Sequence, residues 1–109
     1  MTRAIHQNLA AGRWFGLTLS EQLGNVGSEV GRAVSWQKRN NSAYLEKALQ
    51  RAFELLDLTI ADPRWKTGRK ELCRAREVLA DVFYGDGSYH TTPEDMEKYF
   101  YQFALIARR

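Results

Sequence analysis

The groups able to do covalent chemistry in this chain are few: His6, His90 and Cys73. Nucleophilic or acid–base catalysis needs a base within reach of a nucleophile and a third group to orient it. His6 falls near the N-terminus, His90 in the turn-rich segment 85–90, and Cys73 between Leu72 and Arg74 in a helical pattern. No G-x-S-x-G elbow and no Ser/His/Asp order accompanies them. Arg69, Lys70 and Arg76 carry the sign of charge that activates a thiol, but a half-buried structural cysteine is the simpler reading. The metal spacings C-x-x-C and H-E-x-x-H are absent. Residues 86–97 have the length of a calcium loop, yet they lack its Asp/Asn series and place Thr91 where the turn glycine belongs. The glycines near residues 24–31 form no P-loop, because no G-x-x-x-x-G-K run or preceding strand exists. The expectation is a non-enzyme with no metal site and no cofactor.

The chemistry best supplied is electrostatic. Arg64, Lys66, Arg69, Lys70, Arg74 and Arg76 fall within thirteen residues, against only Glu71 and Glu77. Lys66, Lys70 and Arg74 step by four and Arg69 to Arg76 by seven, so much of one helix side is positive. The first turns of a helix disfavour cations, so such a cluster calls for an external reason. Nucleic-acid phosphates are one, with Trp65 placed to stack on an unpaired base. Acids on a neighbouring helix or subunit are the other. Arg32, Lys38 and Arg39, and again Arg108 and Arg109, suit the negative ends of the first and fourth helices. They extend a basic surface if the fold brings them close.

Four helices must position these groups. Leu19, Leu23, Val26, Val30 and Val34 form one apolar stripe over 18–38. Beside it runs a stripe of small residues: Ser20, Gly24, Gly27, Ser28, Gly31 and Ser35. A mid-helix glycine costs about 1 kcal/mol against alanine, so the stripe needs a return from close packing. Either a neighbouring helix supplies it, or Gly24, Gly27 and Gly31 form a self-association face. Asn41 or Ser42 caps a second helix over 42–61 with a wide apolar face. Asp62-Pro63 restarts a third helix that runs to Tyr84, with Gly85 as a left-handed terminator. Thr92-Pro93 starts a fourth, whose apolar stripe is Met96, Tyr99, Phe100, Phe103, Ile106 and Ala107. Tyr101 points outward there, and with Leu105 it suits a subunit interface. Residues 1–14 carry no period and read as an irregular N-terminal arm anchored by Trp14 and Phe15.

These elements predict an all-α, antiparallel four-helix bundle of up-down-up-down order, residues 1–109 being one domain. The chain is 44% hydrophobic and 27% charged, a globular rather than a disordered balance. One cysteine excludes an internal disulfide and fits a reducing, cytoplasmic location. No apolar run is long enough to span a bilayer. A net charge of +3 is mild, so the placement of the cations matters more than their excess.

The runs L-T-L-S-E-Q-L at 17–23, G-S-E-V-G-R-A at 27–33, N-S-A-Y-L-E-K-A-L at 41–49 and E-L-L-D at 54–57 resemble the middle of a bacterial four-helix-bundle family. That family is encoded in intervening sequences of large ribosomal RNA genes. Its relatives include the accessory variability proteins of diversity-generating retroelements. Leu17, Thr18 and Gln22 match its first helix element. Ser28 and Gly31 match its small positions, and Leu45, Ala48, Glu54 and Leu55 its second helix. The likeness spans residues 17–60. It departs from the family in having a short segment before this region and an additional aromatic helix after it. The resemblance implies an oligomeric, non-catalytic accessory protein that binds nucleic acid and a reverse transcriptase. The resulting expectation is an RNA-binding protein acting through Arg64, Lys66, Arg69, Lys70, Arg74 and Arg76. The alternative is an assembly module using the glycine stripe or the Tyr101–Leu105 surface.

Overall fold

A computed structural model describes residues 12–108 of the chain. Its helices are α1 Leu19–Lys38, α2 Ser42–Ala61, α3 Arg69–Tyr84 and α4 Pro93–Ala107, with 3-10 turns at Trp14–Gly16 and Pro63–Trp65. No strand occurs among the described residues. The all-α, four-helix expectation is what the chain forms.

Local side-chain chemistry sets most helix starts. Thr18 Oγ1 accepts the Glu21 N–H at 3.1 Å, and the Glu21 carboxylate accepts the Thr18 N–H at 2.9 Å, closing a capping box. Thr92 and Asp95 close a second box at α4, where Pro93 takes the first helical position. Asn41 Oδ1 accepts the Tyr44 N–H at 3.1 Å and starts α2.

Two boundaries differ from expectation. The third helix does not run on from Pro63: residues 63–65 make a 3-10 turn, 66–68 a plain turn, and α3 begins at Arg69. The Asp62 carboxylate holds the Arg64 N–H at 3.0 Å, and the Trp65 indole N–H donates to Gln22 of α1 at 2.8 Å. These bonds fold the turn onto α1 and prevent a straight helix. Gly85 is not left-handed, its φ being −93°. The left-handed residues of that loop are Gly87 and His90. Glycine is required at 85 for space, since a Cβ there would stand 2.8 Å from Asp81 Cα. Asp81 in turn gathers the loop, accepting the N–H groups of Gly87, Ser88 and Tyr89 at 3.1–3.2 Å.

Glu29 pairs with Arg51, Asp57 with Arg76, and the glycines of α1 face α4 in reverse order, so successive helices run antiparallel. All four contribute to one core, including Val26, Val30, Leu56, Leu79 and Phe100. A Cβ on Gly24 would meet Ala104 Cα at 3.1 Å, and one on Gly27 would meet Phe100 Cβ at 2.8 Å. A Cβ on Gly31 would meet Glu97 Oε2 at 3.2 Å. The stripe is therefore filled by α4 of the same chain, which corrects its assignment as a self-association face. Of the expected arm, Trp14 is 1% exposed and belongs to the core. Residues 1–11, with His6, lie outside the described residues, as does Arg109.

This topology places the start of α1, the end of α2, the start of α3 and the end of α4 together. The α1–α2 turn and the α3–α4 loop lie at the opposite end.

Candidate nucleic-acid interface

The start of α3 is built on a buried polar cluster. Gln22, fully buried on α1, donates to the Trp14 carbonyl and to Asp62 Oδ2, both at 3.0 Å. Its own oxygen accepts the Trp65 indole N–H, so every hydrogen-bonding group of the amide is used. Asp62, 1% exposed, receives the Arg64 guanidinium at 2.7 Å. The Arg64 hydrogen bonds lower the Asp62 carboxyl to about 2, against the opposing effect of burial. Arg64 also donates to the Leu17 carbonyl at 2.7 Å and lies 4.4 Å over the Trp65 ring.

Two more arginines of the basic run hold internal partners. Arg69 donates to the Ile60 carbonyl at 2.9 Å and the Asp62 carbonyl at 3.4 Å, closing the C-terminal end of α2. Arg76 grips both Asp57 oxygens, at 2.6 and 3.3 Å, and its guanidinium lies over Phe53. Arg64, Arg69 and Arg76 are thus tied into the fold, Arg76 by an acid on the neighbouring helix, Arg64 by the adjacent Asp62 and Arg69 by backbone carbonyls. Lys66 and Lys70 are exposed and make no ion pair among the described residues. Arg74 is also exposed, with its guanidinium 6.0 Å over the Tyr89 ring. The four-residue step from Lys66 to Arg74 is not one helical stripe, because Lys66 precedes α3. Gly68 provides no side-chain cap, so the first N–H groups of α3 lack the side-chain acceptor that α1, α2 and α4 each have.

The other basic groups are distributed by the fold. Arg32 is engaged by Glu29 at 2.6 Å. Lys38 and Arg39 lie at the far end of the bundle from Lys66 and do not extend its surface. Arg108 lies at the same end as the start of α3. Tyr101 is exposed on α4, as expected, and so is Leu105. No hydrogen bond joins Cys73 and His90, and no cluster of three or more His, Cys, Asp and Glu among the described residues is placed to hold a metal. No helix of the described residues is long and apolar enough to cross a membrane.

Two features escaped sequence reasoning. A groove of about 330 Å³ opens between α3 and α4, with Ala75, Val78, Met96 and Tyr99 along it and Glu71 and Arg74 on its rim. At the α1–α2 turn, Trp36 and Tyr44 stack with centroids 4.7 Å apart. Arg39 stands 5.2 Å over the Trp36 ring and Lys47 5.5 Å over Tyr44. The available signal was an aromatic residue on either side of the Arg39-Asn40-Asn41 break.

No family model, curated protein or solved structure matches this chain. The likeness of residues 17–60 to the intervening-sequence family rests on those residues alone. What stands is a small all-helical protein of four helices.

Proposed function

We propose that this protein is a non-catalytic nucleic-acid-binding protein that contacts the phosphate backbone with the exposed start of α3. One observation carries the reading. Lys66 and Lys70 remain exposed and, among the described residues, without an ion pair, beside a helix N-terminus that has no side-chain cap. Two cations at the positive end of a helix dipole repel that end and each other. An anion removes both costs and also satisfies the open N–H groups. Arg74, one turn after Lys70, extends the contact along α3. Arg64, Arg69 and Arg76 act in this reading as supports, since moving them would open the Asp62 cluster or the Asp57 pair. Structured RNA is the favoured partner, the family that residues 17–60 resemble having relatives that bind nucleic acid and a reverse transcriptase, and an RNA–reverse-transcriptase complex is the fuller form of the proposal. Contact with phosphates alone positions a nucleic acid without reading its sequence.

The test is anisotropy of a labelled RNA hairpin at 50 and 200 mM salt. Neutralising two or three phosphates weakens binding roughly 10- to 50-fold across that range. Lys66→Glu combined with Lys70→Glu abolishes most of the binding and leaves the melting temperature within a few degrees, because neither side chain makes an ion pair among the described residues. Unchanged affinity in this variant overturns the reading.

A second reading, homo-oligomeric assembly, is favoured by one observation: Tyr101, Leu105 and Ile106 are between 44% and 52% exposed on α4. Light scattering of Tyr101→Ala with Leu105→Ala distinguishes it, by a fall in mass with RNA affinity per protomer retained.

A further inference from the structure

We propose that the Trp36–Tyr44 stack is a platform for an unpaired base of single-stranded nucleic acid, with Lys38, Arg39 and Lys47 meeting its flanking phosphates. This site is separate from the start of α3 and stands on different observations. The two lie at opposite ends of α2, whose 20 residues span about 30 Å.

The platform is held before any ligand arrives. Trp36 packs on Ala33, Ala48 and Leu49, a small cluster joined to the main core through Phe53 and Phe83. Asn40 adopts a left-handed conformation at φ 55°. The Asn41 N–H donates to the Trp36 carbonyl at 3.0 Å, and the Asn41 side chain fixes the Tyr44 N–H. Tyr44 lies on this support with 48% of its surface exposed. Trp36, Leu45, Phe53 and Phe83 pack on the small cluster, and Tyr44 reaches it only through its stack on Trp36. The Lys47 ammonium stands 5.5 Å over the Tyr44 ring; on binding, this flexible side chain moves from the ring to a flanking phosphate and the preorganised Tyr44 face receives the base.

The charges select the partner. Lys38, Arg39 and Lys47 make no ion pair among the described residues. Glu46, the nearest acid in sequence, is turned away to accept the Tyr84 hydroxyl at 3.0 Å. An apolar protein face docking here would bury unneutralised cations, which is costly. A nucleic acid brings its own counter-charge. A duplex keeps its base faces inside its own stack, so the rings favour an unpaired strand.

Anisotropy of labelled decauridine, with a fully paired duplex of the same length as control, tests this at 50 mM salt. Wild type binds the single strand, Tyr44→Ala weakens that binding roughly 5- to 100-fold, and Tyr44→Phe retains it. Duplex affinity and the helical melt stay unchanged in both variants. Equal single-strand affinity of Tyr44→Ala and wild type overturns the proposal, as does no binding by wild type. A loss of oligomer mass in Tyr44→Ala with unchanged decauridine affinity also overturns it, assigning the stack to a protein contact. The Lys66→Glu, Lys70→Glu variant keeps the two readings apart. If that variant binds every probe like wild type while the Tyr44 effect persists, the α3 reading fails and this one stands.

Discussion

Replacing the glycines of α1 by alanine one at a time tests how α1 and α4 meet. Each substitution adds one methyl group and about 1 kcal/mol of helix propensity. Only the neighbour differs. At Gly27 the new Cβ lies 2.8 Å from Phe100 Cβ and 3.2 Å from its backbone carbon. Carbon atoms pack at about 3.5–4.0 Å, so the helices must part by roughly 0.7 Å or more. Phe100 is fully buried and its backbone belongs to α4, so neither yields by a rotamer change. Overpacking of this kind costs roughly 2–3 kcal/mol, which the propensity gain reduces to a net loss of about 1–2 kcal/mol. For a domain of this size that is a fall of roughly 5–10 °C in melting temperature. At Gly31 the neighbour is the end of the Glu97 side chain at 3.2 Å, which can swing aside. Gly31→Ala is therefore neutral or stabilising by up to about 1 kcal/mol. Gly24→Ala falls between, against Ala104 Cα at 3.1 Å. Urea and thermal melts followed by circular dichroism read the order. Equal stabilisation at all three positions would refute the packing of α4 on the stripe and reopen it as a free face.

Acid should act through Asp62. Its folded carboxyl is lowered from 3.8 to about 2, so its stabilising effect is complete above about pH 4 and is lost as pH falls toward 2. Asp62→Asn flattens stability against pH in that window, read from urea midpoints at pH 2–5, and an unchanged slope would reject the assignment. Asp62→Ala costs about 2–4 kcal/mol at neutral pH, because Gln22 and Arg64 each lose their acid. Trp65→Phe leaves the buried Gln22 oxygen without its donor and costs about 1–2 kcal/mol, measured by urea melts, while the propensity of the turn is little altered. A cost below about 0.3 kcal/mol would show that Gln22 finds another donor.

Helix chemistry is local, and that is why so much of the fold is readable from the chain. A cap and the group it satisfies stand two or three residues apart, as Thr18 with Glu21, Asn41 with Tyr44 and Thr92 with Asp95. The apolar stripes repeat within one or two turns. Together these determined four helices, the bounds of α1, α2 and α4, an outward-facing Tyr101 and the bundle class. The sequence alone also marked Lys66 and Lys70 as candidate cations.

Tertiary structure decided which cations are free. Arg64 reaches the Leu17 carbonyl 47 residues away, and Gln22 reaches Asp62 across 40. Composition within the basic run carries no trace of such partners, so six similar cations became three supports and three groups without a hydrogen bond or ion pair among the described residues only once the helices packed. The same holds for the glycine stripe, whose occupant is α4 more than 60 residues later. It also holds for the break at 66–68, which depends on Trp65 finding an acceptor on α1. The Trp36–Tyr44 stack joins residues on either side of a turn whose left-handed Asn40 sets how the two helices meet. For the glycine stripe, Gln22–Asp62 and Trp65–Gln22 the deciding term is an interaction between groups distant along the chain, and its sign depends on geometry that local propensity does not encode.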